Sequence, residues 1–222
     1  MRQNKQTSTL LGCGVVAGPL FLAAVLIQAA TRTGFELGRH PISLLSLGPL
    51  GWIQMANFIA AGVLFAACGV GLRREGLAGK VIPVAVAAFG AGLIVAGIFV
   101  TDPGAGFPPG APDGAPAHMS WHGILHEVGF SVAQFGWLVL AIALIRRART
   151  RRWRWILAPV LVLVLVAWPS TSGLSVRLLL ATAVEFAAVA VFVVPANRSI
   201  TRPARMTASP SAGQPDLPSA RA

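Results

Sequence analysis

The sequence predicts an all-α membrane protein, a bundle of six transmembrane helices. Three observations point to it. The 222 residues are 55% hydrophobic and only 11% charged, with a mean hydropathy of +0.71. A soluble domain of this length has too little interior to bury so much apolar surface, whereas a bilayer solvates it directly. The apolar residues also come in continuous runs rather than in alternation, which excludes a β-barrel. Finally, the basic residues cluster between the runs, on alternating sides.

The runs cover residues 9–30, 52–72, 81–101, 122–145, 153–169 and 176–195. A hydrocarbon core needs about 20 apolar residues per helix, so only the fifth run is short. The first run follows Arg2 and Lys5 and superficially resembles a signal peptide. It is too long for a typical signal h-region and ends without a convincing cleavage site, so it is expected to be retained. Residues 1–8 form a short cytoplasmic start, and 196–222, with four prolines, are expected to be a disordered cytoplasmic tail.

Orientation follows from Lys and Arg. Six spans put the N-terminus, the second and fourth loops and the C-terminus on one side, and these segments hold 15 of the 18 basic residues. Only Arg32, Arg39 and Arg177 fall on the other side. Positive-inside therefore predicts a multi-pass cell-membrane protein with both termini cytoplasmic. The same placement reads the net charge of +11 as topology, so nucleic acid is not expected as a partner. Cys13 and Cys68 lie within spans and are read as small buried apolar residues.

Polar residues gather on the external side. All four histidines, His40, His118, His122 and His126, fall there, as does Asp102. His122 and His126 are four apart and share one helix face, the spacing at which two imidazoles can bind one metal ion. Zinc with Asp102 as third ligand is the sharp reading; interfacial histidines bonded to water or loop carbonyls are the plain one. His118 precedes the helix, and Ser120 is placed as its N-cap. The Gly/Pro-rich connection at 102–121 is expected to fold over the bundle mouth or to stay mobile.

Other polar residues lie within or beside spans. Glu127 and Glu185 are costly in hydrocarbon, so they should face the bundle interior, with water as the alternative for Glu127, which lies within a turn of the interface. Gln54 and Asn57 suit interhelical hydrogen bonds. Ser43 and Ser46 sit on a short interfacial turn, where a serine nucleophile needs a nearby base such as His40. Gly14 and Gly18 form a GxxxG, and Gly90, Gly92, Ala96 and Gly97 line span three; packing within the monomer is the default role, dimerisation the sharper one.

Three stretches carry a family resemblance. They are HPISLLSLGPLGWIQMANFIAAGVLFAACGVGLRR from His40, TDP at the end of span three, and HGILHEVG from His122. Together they resemble a bacterial membrane family known as domain of unknown function 998, over residues 10–195. The resemblance implies six spans and recurring polar positions at His40, Ser43, Asp102, His122 or His126, and Arg177. The stretch GLSVRL, ending at Leu178, is similar to the family's Gly-x-x-x-Arg start of the last span. Glu185 matches no pattern of that family, and the family name carries no activity.

The functional expectation is a polar pocket at the extracytoplasmic face. In the enzyme reading, a metal-assisted hydrolase or transferase acts on a lipid or headgroup. Asp102, His122 and His126 would hold zinc, and a bound water would attack. His40 would be a fourth ligand or a general base, and Arg177 would grip an anionic headgroup. A serine variant uses Ser43 with His40. In the alternative reading the protein is a small transporter, lipid-binding module or scaffold, with Glu185 and Glu127 as its interior groups. A haem site fits poorly, because one helix face cannot supply ligands from both sides of the ring.

Overall fold

The computed structural model of the chain describes residues 2–76, 78–116, 118–147 and 174–201. Five α-helices are present: α1 Arg2–Thr31, α2 Gly51–Glu75, α3 Val81–Ile98, α4 Trp121–Arg147 and α5 Leu174–Thr201. A 3-10 turn at Ile42–Ser46 precedes α2. Each of the five contains a segment long and apolar enough to cross a membrane, and no strand occurs among the described residues. The run at 153–169 lies outside the described residues. The last helix continues to Thr201, into the segment expected to be tail, and residues 202–222 again lie outside.

Helix ends follow local chemistry. α2 stops where Gly76 takes the left-handed conformation (φ 79°) and returns its N–H to the Leu72 carbonyl, a glycine C-cap that a side chain would strain. α3 ends at Ile98, with Phe99 extended. Asp102, expected at the end of the span, therefore sits in the following loop.

From α1 to α4, each helix packs antiparallel to the one before it. Gly14 of α1 meets Cys68 of α2, and Gly71 meets Leu10 and Leu11. Gly62 on α2 lies against Gly90 of α3, where an added Cβ would be 2.5 Å from the Gly90 carbonyl oxygen. Gly92 on α3 lies as close to Gly129 on α4. Small residues let these backbones touch, which replaces the hydrophobic drive that lipid removes. α5 returns to α1: Gly18 meets Phe186 and Gly14 meets Val189, again antiparallel. Gly14 and Gly18 are thus used inside the monomer. The core is a cluster of Phe21, Phe58, Phe65, Phe89 and Phe186, with centroids 4.8–5.8 Å apart. The outer faces carry exposed Leu20, Val84, Phe135 and Val191, which suits contact with lipid.

Beside this core, Gln28 donates to Gln54 (2.8 Å), and Asn57 donates to the Phe21 carbonyl (3.1 Å). These are the interhelical bonds expected of Gln54 and Asn57.

Candidate functional site

The end of the bundle that carries the loops after α1 and α3 is a tightly bonded cap. Arg32, just past α1, donates to the Leu45 carbonyl (3.3 Å) and to the Leu47 carbonyl, and its guanidinium lies 5.7 Å from the Phe107 ring centroid. Arg39 pairs with Asp113 across the two loops (2.9 Å). His40 is 2% exposed. Its Nδ1 accepts the Glu36 N–H (2.8 Å), and its Nε2 lies 3.0 Å from the Ala105 carbonyl. An amide only donates and a carbonyl only accepts, so the ring is neutral with its proton on Nε2. Phe35 and Phe107 flank it, with centroids 5.3 and 5.5 Å away. With both nitrogens occupied, His40 has no lone pair left for a metal or a proton. It fastens the Gly/Pro-rich loop to the loop after α1.

Asp102 caps α4. Its Oδ2 accepts the Ser120 N–H (2.8 Å) and its Oδ1 accepts the Ser120 hydroxyl (2.5 Å). Ser120 Oγ in turn accepts the Gly123 N–H (3.1 Å), the N-cap bond expected of it. A carboxylate at a helix N-terminus is favoured by the dipole. The Ser120 hydroxyl bond holds the Asp102 carboxyl below the usual carboxylate range; partial burial opposes this, and the Ser120 amide and nearby His122 reinforce it.

His122 and His126 share a face, as their spacing requires, and that face meets the end of α3. His122 Nδ1 lies 2.9 Å from the Val100 carbonyl and 2.9 Å from Ser120 Oγ. His126 Nδ1 lies 2.8 Å from the Ala96 carbonyl and 2.9 Å from that of Phe99. Both rings therefore carry the proton on Nδ1 and satisfy carbonyls that a helix C-terminus leaves open. His122 Nδ1 is 4.0 Å from Asp102 Oδ1. Among the described residues, no group of three or more His, Cys, Asp or Glu side chains is placed to hold a metal ion. The expected ligand set Asp102, His122 and His126 is adjacent in space, but its bonds are directed at backbone and at Ser120. His118 is exposed in the loop.

Below this cap is a cavity of about 630 Å³ between α4 and α5, floored by the aromatic core. Its apolar side includes Phe21, Phe58, Phe89 and Leu93. Its polar side runs down α4 through His126, Glu127 and Gln134, and down α5 through Thr182 and Glu185. Spacings of three (Thr182–Glu185), seven (Glu127–Gln134) and eight (His126–Gln134) residues keep these pairs on one helix face. Ser43, Arg39, Asp102 and Asp113 line the mouth. His126 is 3% exposed and has Nε2 unbonded among the described residues, so a lone pair remains at the cavity wall. Glu185 is 2% exposed, and its Oε1 has no hydrogen-bond partner among the described residues. The Arg177 side chain lies outside the described residues.

A family model matches residues 15–195. The chain belongs to the DUF998 family, described as proteins of unknown function. No curated protein and no solved structure matches the chain. In this DUF998 protein the matched region contains every residue of the cap and the cavity. Sequence reasoning singled out Glu185 and His126 but passed over Gln134 and Thr182. A glutamine inside a span, and a threonine three residues before a buried glutamate, were the available signals.

Proposed function

We propose that this protein binds a lipid-sized amphipathic molecule in the cavity, entering from the extracytoplasmic side. The carrying observation is the cavity's mixed lining: aromatic and aliphatic residues of α1–α3 on one side, and on α4 and α5 the polar His126, Glu127, Gln134, Thr182 and Glu185 among apolar neighbours. Its volume falls within the roughly 300–1,000 Å³ usual for small-molecule sites. In a bundle whose outer faces carry exposed apolar side chains, a polar lining reaching the buried Glu185 is costly unless it serves a ligand. The reading is a binding or transport protein rather than a scaffold.

The same reading includes six spans in the cell membrane, with both termini cytoplasmic. α1 runs antiparallel to α2 and to α5, and α4 runs the same way as α2. α4 and α5 thus run in parallel, which supports a further crossing in the chain between them. Those 26 residues, 148–173, reach about 39 Å as a helix, enough for a core of about 30 Å.

Native mass spectrometry of the detergent-solubilised chain tests the binding. Saturable one-to-one adducts with single-chain C16 amphiphiles, lost in Thr182→Phe, support it. Adducts that never saturate, or that ignore Thr182→Phe, would defeat it.

A catalytic reading has one observation in its favour: His126 keeps an unbonded Nε2 on the wall that Ser43 also lines. A hydrolase or transferase acting on a bound lipid would use that nitrogen as base. Its metal-assisted form needs His122 and Asp102 to turn from their present bonds toward His126. Near-stoichiometric zinc by elemental mass spectrometry, lost in a His122→Ala/His126→Ala double variant, would support that form; metal-free protein purified without chelators would remove it.

A further inference from the structure

We propose that the cavity selects an amphiphile bearing a protonated amine, with Glu185 as its counter-ion. The inference rests on the binding reading above and concerns the chemistry of the head.

Charge is the first observation. The described side chains lining the cavity include one guanidinium, Arg39, and four carboxylates, Asp102, Asp113, Glu127 and Glu185. Arg39 is already paired with Asp113, whose side chain is 93% exposed at the mouth. Asp102 is held by Ser120. Glu127 and Glu185 keep no cation among the described residues. A phosphate or carboxylate head would enter against two uncompensated carboxyls. An ammonium would neutralise one of them.

The second observation is Glu185 itself. Its Oε1 is buried without a partner among the described residues, while the side chain lines the cavity. Buried carboxyl oxygens are normally bonded, so an open one marks the place of an absent donor. The residue lies eleven positions after the start of α5, about 17 Å down the helix and near the bilayer midplane. A ligand seated in the cavity can bring such a donor within reach of it. Thr182, one turn away on the same face, offers a further acceptor oxygen. Phe89 and Phe186 also line the cavity, and aromatic rings near a charged head favour a cation over an anion.

The test is a headgroup competition on the full chain, read by native mass spectrometry. The probes are hexadecylamine, hexadecanol and hexadecyl phosphate at pH 7. Hexadecylamine is expected to bind about tenfold more tightly than either of the others, the scale of one charge-assisted contact. Glu185→Gln should bring the amine down to the alcohol's level, and Glu185→Asp should keep part of the preference. Equal binding of all three probes overturns the proposal and leaves the binding reading standing. So does an amine preference that survives Glu185→Gln. Preference for the phosphate that disappears in Arg177→Gln also overturns it, and assigns the cavity to anionic heads. If none of the probes binds saturably, the binding reading fails together with the proposal. The wild-type ranking decides the matter even where a variant does not fold.

Discussion

The cap and the cavity beneath it are built from the same residue types and treat them in opposite ways. In the cap, His40, Asp102 and Ser120 have their polar atoms committed to neighbours within about hydrogen-bond distance. In the cavity, Glu185 Oε1 and His126 Nε2 are left open. A histidine or carboxylate near a membrane surface is thus no sign of chemistry by itself. Saturation goes with residues that hold the fold; Glu185 differs from core residues with an open atom, such as Gln28 and Gln54, in that it lines a cavity where a partner can sit.

The contrast is broken most severely at His40. His40→Ala removes two hydrogen bonds and the ring between Phe35 and Phe107. It should cost about 2–4 kcal/mol, by analogy with other buried large-to-small changes. Thermal unfolding in detergent would show a clear drop in midpoint. A change within measurement error would mean the loops are not fastened there.

A smaller loss is expected at the α4 cap. Ser120→Ala should destabilise by about 1 kcal/mol, the usual worth of an N-cap. Asp102 adds a pH signature. Its carboxyl is held below the ordinary range in the folded protein, so its contribution is fully present above the unfolded value and is lost as pH falls through the folded one. Asp102→Asn should flatten that acid limb of the stability profile. An unchanged limb would locate the acid sensitivity elsewhere.

Glu185→Gln should do the least to stability. The carboxyl oxygen it alters has no partner among the described residues, so the midpoint should stay the same or rise, while ligand binding falls. A large loss of stability would place Glu185 with the cap as a structural residue and erase the distinction between the two regions.

Much of this was legible in the sequence, and the limits are physical. Apolar runs and their lengths give the described helices, because lipid forces backbone bonding within each segment. Ser120 is an N-cap for a local reason, so its role could be read locally. The His122–His126 spacing fixes that they share a face but not what the face meets. The partner is the end of α3, some 30 residues away in sequence for the Ala96 contact. Asp102 was expected to close a helix; α3 ends four residues earlier, which frees the carboxylate to reach α4. His40 and its aromatic neighbours join two loops 65 residues apart, a pairing no periodicity encodes. Glu185 stood out because a charge inside a span is rare whatever surrounds it. Gln134 and Thr182 did not, since their cost in a span is low enough to need no explanation until a cavity connects them.

The central claim is that the interior cavity, and not the lipid-facing surface, takes the ligand. Photo-crosslinking with a diazirine-bearing C16 amine, followed by peptide mass spectrometry, tests it most directly. The account predicts labels on Phe130, Leu178 and Thr182, which line the cavity, and their loss under excess unlabelled amine. Labels confined to exposed Val84, Phe135 and Val191, undiminished by competitor, would contradict it.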